Sequence, residues 1–571
     1  MFDTQPDSER GSETEILNGK TISPGMAQGV VHVHHSFLDL TDIPPETITR
    51  HDVDREFSRL DAATASVSDD LAALVLRVAE EVDSRLAEVF GAHRLILNDP
   101  ALREELRREM TENLVDAATA VQHVFRRWEK RFLLMESQIA RDKSDDLRDV
   151  SVRLYNALAG IAANPLNQIP PGCVLATSRL LPSDTVFLAE RSVAAVLLEY
   201  GSAGSHVALF AREMGLPCIS RLSGLADTHR EGALALVDGS TGTVTLHPNQ
   251  RRIGQFQKKV RSLAKSARRA QAHALEPAIT RDGVPIAVLA NVGFSHDTEN
   301  AMRHGAEGVG LYRLEQAYLG RLAPPSAKAL LADMRHTLSK AKGCPVVVRL
   351  LDVGADKTLP FIEFATESNP ALGCRGVRVL KEYSGLLKTQ LRAILALSRE
   401  FDVRILIPMV TLADDVTVVK DQLLALCRTQ NIATPPPLGA MIETPAAALS
   451  ARQFAADVDF LSFGTNDLTQ YAFAADRENA AVEPYFDDTD AVIFRLMQIT
   501  HDDVPEMPLS LCGELAGRPE QVARMLQCGI RTLSVAGPLI PAVKEAIRHS
   551  DCSASAVTQT PVSGRFFAQN K

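Results

Sequence analysis

Between Ala278 and Ser550 the chain repeats one unit eight times: a short apolar run, then a stretch with helical spacing. The runs are Ile286–Asn291, Gly308–Tyr312, Val346–Leu351, Ile405–Val410, Leu438–Ile442, Phe460–Phe463, Leu509–Leu511 and Thr532–Val535. A strand buried on both faces reads as such a run, and strands alternating with helices build a parallel sheet. Eight is the number that closes a (β/α)8 barrel, and the segment has the usual size of one. This repeat constrains the chain more than any other feature, because over almost half its length it supplies the eight strands a closed barrel needs, although periodicity alone does not fix the closure.

Barrels of this kind present their chemistry just after the strands. Arg313 and Glu315 follow the second run, and Arg349, Asp352, Asp356 and Lys357 follow or end the third. Arg375 lies between the third and fourth. Glu443 follows the fifth, Asn466 and Asp467 the sixth, and Cys512 and Glu514 the seventh, with Asp476 and Arg477 in the loop beyond the sixth. Arginine offers a fixed fork for phosphate and carboxylate oxygens. Mg²⁺ commonly takes one or two protein carboxylates and fills its shell with water and substrate oxygens. The set therefore suits a substrate bearing phosphate and carboxylate, with Mg²⁺. Surface ion pairs are the bland alternative, and so many charged groups at strand ends speak against it.

A second focus lies upstream. The apolar run Val193–Leu198 leads into Gly201-Ser202-Ala203-Gly204-Ser205-His206, which continues as Val207-Ala208-Leu209-Phe210-Ala211-Arg212 towards Gly215-Leu216-Pro217. The glycines allow a tight turn and close approach to a ligand. Ser205 can cap the helix that follows. His206 then falls in the first turn, where free N–H groups and the helix dipole favour an anion. A histidine there suits receiving and holding a phosphoryl group; a capped helix with an exposed first-turn histidine is the plain alternative.

The remaining sequence divides around these two foci. At 571 residues the chain exceeds one core and implies three or four domains. We expect a disordered extension over 1–15, a mixed α/β domain from 16–40 and 160–249, an all-helical insert over 41–159, a helical linker over 250–277, the barrel over 278–550 and a loose tail over 551–571. Leu71, Leu74, Val75, Val78, Val82, Leu86 and Val89 share one helical face. Asn98-Asp99-Pro100 reads as a stop and restart, with Asp99 as cap and Pro100 at the first helical position. Thr21 to Val33 reads as turn then strand; its histidines, His32, His34 and His35, fit a strand surface better than a metal site. Asp238-Gly239 and Thr241-Gly242 punctuate a hairpin. The linker is basic: Lys258, Lys259, Arg261, Lys265, Arg268 and Arg269 form a solvated face. A net charge of −10 argues against a nucleic-acid partner. Eight scattered cysteines without a C-x-x-C pair fit a reducing cytoplasm, and no run is long enough to span a bilayer.

These motifs resemble those of Enzyme I of the phosphoenolpyruvate-dependent sugar phosphotransferase system, within a wider group that includes pyruvate phosphate dikinase and phosphoenolpyruvate synthase. The His206 segment resembles the phosphohistidine loop G-G-x-T-S-H-x-x-x-x-A-R. Thr21–Val33 is similar to the family's opening strand, and Leu181-Pro182-Ser183-Asp184-Thr185 to its L-x-P-S-x-T segment. Gly308–Glu315 resembles G-x-G-L-x-R-T-E, and Arg349–Lys357 resembles R-T-x-D-x-G-x-D-K. Asn369–Arg375, Gly439–Pro445, Phe463–Tyr471, Asp476-Arg477 and Leu511–Glu514 also fit, so the likeness runs from Thr21 to about Arg548. It implies a mixed α/β phosphohistidine swivelling domain, a helical insert that binds a histidine-containing phosphocarrier protein, a helical linker and a TIM barrel. It implies that His206 accepts phosphate, that Glu443 and Asp467 bind Mg²⁺, and that Arg313, Arg349, Lys357, Arg375, Asn466 and Arg477 hold phosphoenolpyruvate. Cys512 would handle the proton at the substrate's methylene carbon. A homodimer through the barrel is implied by the likeness alone.

The chain departs from the family pattern at several positions. Ser202 replaces the usual second glycine, and Gly204 the threonine before Ser-His. Leu314 and Leu350 replace threonines, Gln316 a phenylalanine and Cys374 an aromatic residue. No charged group is lost, and the changes point to a divergent branch with a different carrier partner.

Three functions stand at this stage. The favoured one is a phosphotransferase that autophosphorylates His206 from phosphoenolpyruvate, releases pyruvate and passes the phosphoryl group to a phosphocarrier histidine. A synthase or dikinase would need a nucleotide-grasping domain, and no Gly-rich phosphate loop follows a strand in the short helical N-terminal block. A non-catalytic regulator would not need the complete set of arginines, carboxylates, cysteine and histidine.

Overall fold

The computed structural model describes residues 14–34, 46–81, 84–133, 138–160, 169–182, 184, 188, 191–201, 206–225, 230–318, 321, 323–354, 359–365, 367–477, 479 and 482–552. They form two compact units, Met1–Ser262 and Leu263–Lys571.

The first unit opens with β1 (Glu15–Asn18), β2 (Lys20–Ser23) and β3 (Met26–His34). Five helices follow: α1 (Val53–Glu81), α2 (Ser84–Leu97), α3 (Pro100–Asn113), α4 (Ala117–Leu133) and α5 (Gln138–Leu158). Then come β4 (Val174–Thr177), β5 (Ala195–Leu198), α6 (His206–Glu213), β6 (Cys218–Ser220), β7 (Leu234–Asp238) and β8 (Thr243–Leu246). The eight strands form one sheet in the order β1-β8-β7-β3-β4-β5-β6-β2. Its centre, β3 to β6, is parallel, and its flanks are antiparallel. Two-residue alternation gives the sheet two buried faces. Val196 and Leu198 of β5 pack with Leu60, Phe90 and Met110 of the helices, while Ala195 and Leu197 pack with Val31, Val174 and Ile219 on the other face.

Two strands lie where the sequence reading places none. Glu15–Asn18 pairs antiparallel with β8, so Glu15 of the expected extension belongs to a strand, while residues 1–13 lie outside the described residues. Thr21-Ile22-Ser23 belongs to β2, which pairs with β6. Both are edge strands of four residues, too short to show periodicity. Asp99 caps α3 as expected: its carboxylate accepts from the Ala101 N–H at 2.7 Å, with Pro100 at the first position. The β7–β8 hairpin closes with Asp238 opposite Thr243. His32 lies beside Glu231, its Nδ1 3.1 Å from the carboxylate.

Helix α7 (Gln250–Ala272) joins the units and carries the basic residues on exposed positions. In the second unit, Lys544 is fully buried and donates to the carbonyls of Ala274 and Glu276, just beyond the end of α7.

The second unit adds a two-residue strand, β9 (Ala278–Ile279), and then β10 (Pro285–Val292), β11 (Val309–Arg313), β12 (Pro345–Arg349), β13 (Asp402–Ile407), β14 (Leu438–Ile442), β15 (Phe460–Phe463), β16 (Leu509–Leu511) and β17 (Thr532–Val535). β10 to β17 pair in parallel in sequence order, and β10 also pairs with both β11 and β17, which closes the eight-stranded barrel. Residues on the outward faces pack under the surrounding helices in one large core. Leu311, Val347, Leu406, Met441, Phe460 and Cys512 fill the inside as a second core. The barrel is therefore packed rather than hollow, and its polar groups collect at the mouth.

Two strands stop earlier than their apolar runs. β12 ends at Arg349, after which the Leu350 N–H bonds Leu406 and the Leu351 N–H bonds the Gln390 side chain at 2.9 Å. β13 ends at Ile407, because Met409 takes a left-handed backbone conformation with φ of 56°. Hydrophobicity continues past both ends while the ladder does not.

Candidate active site

The mouth of the barrel carries a chain of alternating charges. Arg349 ends β12, and its Nη2 donates to Glu315 Oε1 at 3.0 Å. The same carboxylate oxygen accepts from the Asp352 N–H at 2.8 Å. Asp352 is buried and faces two arginines: its Oδ2 is 3.3 Å from Arg349 Nη1 and 3.1 Å from Arg375 Nη2. The other end of the Arg375 fork reaches Asp467 Oδ1 at 3.2 Å and Tyr471 Oη at 3.2 Å. Arg477 Nη1 approaches the same Asp467 oxygen at 3.9 Å. Asn466 accepts from the Glu514 N–H at 2.9 Å, tying the helix that starts after β15 to the turn after β16.

Burial opposes the charge on Arg349, yet Glu315, Asp352 and Glu443 outweigh it and hold the guanidinium well above its ordinary range. Arg375 behaves alike, with Asp352 and Asp467 overcoming burial. Arg313 differs. Crowding by protein and the neighbouring Arg349 lower its pKa, although its surface remains open to solvent. Among the described residues its side chain makes no hydrogen bond or ion pair. A cation held beside another cation, without a carboxylate of its own, is a place where an anion gains most.

Glu443 follows β14 and is wholly buried. One of its oxygens accepts the N–H of Met409, which the left-handed turn after β13 aims at it. The other, Oε2, has no hydrogen-bond partner among the described residues. Burial first, then Asp467 and Asp352, push its carboxyl up to about 8. A Cβ at Gly464 would come within 2.8 Å of that same oxygen, so the glycine keeps the space beside it clear. An orphaned, desolvated carboxylate oxygen close to a second carboxylate fits a divalent cation. Among the described residues no group of three or more His, Cys, Asp or Glu side chains could hold a metal. Mg²⁺ commonly takes only one or two protein carboxylates and fills its remaining positions with water and substrate oxygens.

Cys512 lies just past β16 and is buried against the barrel's inner core. Burial pushes its thiol pKa up, while the Ser462 hydroxyl at 3.6 Å and the nearby Arg349 and Arg313 partly offset this. The thiol is thus kept protonated at neutral pH.

The structure gathers Arg349, Arg375, Asp467, Glu443 and Cys512 with Arg313, Asn466 and Arg477 at one end of the barrel. Lys357 and Asp356 lie outside the described residues, as do Ser202 to Ser205. His206 is the first residue of α6, after β5, and only its backbone is described. Sequence reasoning passed over Met409, Ser462 and Tyr471. Tyr471 had a usable signal, since it lies four residues after Asp467 and so shares its helix face. A methionine in the left-handed region has none.

An arginine-lined barrel mouth with a buried carboxylate pair, preceded by a histidine-bearing α/β unit, defines a class. The chain belongs to the PEP-utilising enzymes: residues 18–143 match the family's N-terminal domain, 169–242 its mobile domain and 267–552 its PEP-binding domain. Over nearly its whole length it is similar to phosphoenolpyruvate-protein phosphotransferases. That of Geobacillus stearothermophilus is 33% identical, with 96% of each chain covered. That of Haloferax volcanii is 33% identical over 94% of each. The solution structure of an Enzyme I (nEIt) protein is 25% identical and covers 43% of this chain and 99% of its own, with a TM-score of 0.37. Among the described residues, no helix is long and apolar enough to cross a membrane.

Proposed function

We propose that this enzyme transfers the phosphoryl group of phosphoenolpyruvate to His206, releases pyruvate, and passes the group on to a histidine-containing phosphocarrier protein. The observation that carries the reading is the row of arginines at the barrel mouth, with Arg313 lacking an ion-pair partner among the described residues. Phosphoenolpyruvate brings a carboxylate and a phosphate a few atoms apart, and Arg313, Arg349, Arg375 and Arg477 match both by charge and by fork geometry. Asn466 adds a neutral polar group, and Lys357 belongs to the same loop region by sequence. Glu443 and Asp467 would hold Mg²⁺, which when bound neutralises charge on the phosphoryl oxygens.

Phosphoryl transfer depends on positioning and charge more than on covalent help from the protein. The neutral imidazole of His206 forms the N–P bond while the P–O bond to the enolate breaks. The enolate's carbon then takes the Cys512 thiol proton to give pyruvate, and the thiolate is reprotonated from water. Burial that keeps the thiol protonated serves this role. His206 at a helix start is placed where the N-terminal N–H groups favour the phosphoryl group it would carry. The histidine unit must visit the barrel and then the carrier, and α7 is the connection about which it would swing. The helices between β3 and β4 are the surface we assign to the carrier. A dimer through the barrel and a cytoplasmic location complete the reading.

Intact-mass spectrometry tests it. Protein incubated with phosphoenolpyruvate and Mg²⁺ should gain one acid-labile phosphate, and His206→Ala should gain none. Equal uptake by the variant would remove the central residue of the reading.

A further inference from the structure

Arg375 divides its guanidinium between two carboxylates. Nη2 holds Asp352, a residue with no assigned contact to substrate or metal, and Nη1 holds Asp467 Oδ1. All three side chains are nearly excluded from solvent, with 4%, 3% and 10% of their surfaces exposed. Asp467 thus has an arginine hydrogen-bonded to one of its two oxygens, Oδ1, and Arg477 stands 3.9 Å from that oxygen as well. A divalent cation placed there would set cations against one another around a single carboxylate. Glu443 Oε2, across the same space, has no such partner among the described residues.

We propose that Arg375 stands in for the metal at Asp467, so that metal and substrate phosphate enter the mouth cooperatively, each drawing one partner out of the same ion pair. The inference rests on the assignment of Asp467 as a metal ligand and of Arg375 as a phosphate ligand. Asp352 is the pivot. It keeps one end of the guanidinium anchored, and its position is fixed through the Glu315 carboxylate on its N–H, so the other end can turn from Asp467 to an anion. An anion that takes Nη1 uncovers Asp467 for the metal, and a metal that takes Asp467 releases Nη1 for the anion. Linkage makes the two effects equal in size. The arrangement also keeps the mouth charge-paired when it holds neither ligand.

The test is Mn²⁺ binding to the full-length protein, followed by electron paramagnetic resonance of the free ion, with no substrate present. Arg375→Met should bind Mn²⁺ about tenfold more tightly than wild type, within the range usual for coupled sites. Inorganic phosphate should tighten Mn²⁺ binding to wild type and do so much less in the variant. Arg375→Lys, whose ammonium is a point charge without the planar fork that spans Asp352 and Asp467, gives a less disruptive version and should fall between. Arg477→Met removes a charge near the same oxygen without its hydrogen bond, and should change Mn²⁺ affinity far less. Arg375→Met and Arg375→Lys binding Mn²⁺ no better than wild type, or Arg477→Met matching Arg375→Met, would overturn the proposal. Asp467→Asn distinguishes the two layers: lost Mn²⁺ binding there with no effect at Arg375 sinks the stand-in alone. Unchanged Mn²⁺ binding in Asp467→Asn sinks the metal assignment with it.

Discussion

Replacing Glu443 with glutamine should stabilise the metal-free barrel at pH 8 and remove its sensitivity to pH. The side chain is fully buried, and its carboxyl is raised from an ordinary 4.5 to about 8, by burial first and then by Asp467 and Asp352. Between those values the folded chain holds a proton that the unfolded chain has released. Stability must therefore fall as pH rises through this window and level off above about 8. The full shift is worth roughly 5 kcal/mol, at 1.36 kcal/mol for each unit. That is an upper bound, because the proton is shared with the neighbouring carboxylates and the titration belongs to the group. Glutamine keeps an acceptor for the Met409 N–H and puts a donor where Oε2 is unpartnered. We expect wild type and Glu443→Gln to be nearly equal at pH 5, and the variant to be more stable by several kcal/mol at pH 8. Calorimetry in the presence of a chelator is the assay. The single tryptophan, Trp128, lies in α4 of the first unit, so its fluorescence does not follow barrel unfolding. Added Mg²⁺ should restore the wild type at pH 8 and leave the variant unmoved. Parallel pH profiles for the two proteins would refute the reasoning.

Cys512→Ala should still label His206 in a single turnover but should lose catalysed exchange of pyruvate methyl protons with heavy water; equal exchange would return Cys512 to a packing role. Gly376→Ala should destabilise the barrel by about 2–5 kcal/mol, combining a left-handed residue with overpacking. Its φ is +58°, and a Cβ there would lie 2.8 Å from the Met409 Cβ and 3.2 Å from Asp352 Oδ1. Because Arg375 precedes it, the same variant should raise the KM for phosphoenolpyruvate, and denaturant unfolding with steady-state kinetics would show a neutral change if the packing argument is wrong.

The barrel was readable because each strand is buried on both faces and each is separated by a helix. The runs at Leu438–Ile442, Phe460–Phe463, Leu509–Leu511 and Thr532–Val535 coincide with strands β14 to β17. Where reading and structure part, hydrogen bonding overrides hydrophobicity. Leu351 and Val410 are buried, yet the Leu351 N–H has turned from the ladder to the Gln390 side chain and Val410 follows the left-handed Met409. The site is legible to a different depth. Closing the barrel brings strand ends together whatever their separation along the chain, so the polar residues read off after the strands meet at one end of it, while Met409, Ser462 and Tyr471, which also touch that end, are not among them. Nor does the sequence say which arginine binds which carboxylate. Arg375 and Asp467 are 92 positions apart, and Arg349 and Glu315 are 34 apart. No periodicity links them, because the pairing is decided by side-chain reach across the mouth. Those pairings carry the functional content. A row of arginines alone describes an anion site; with arginines already engaged by Asp352 and Asp467, the proposed substrate and metal would each have to displace a partner.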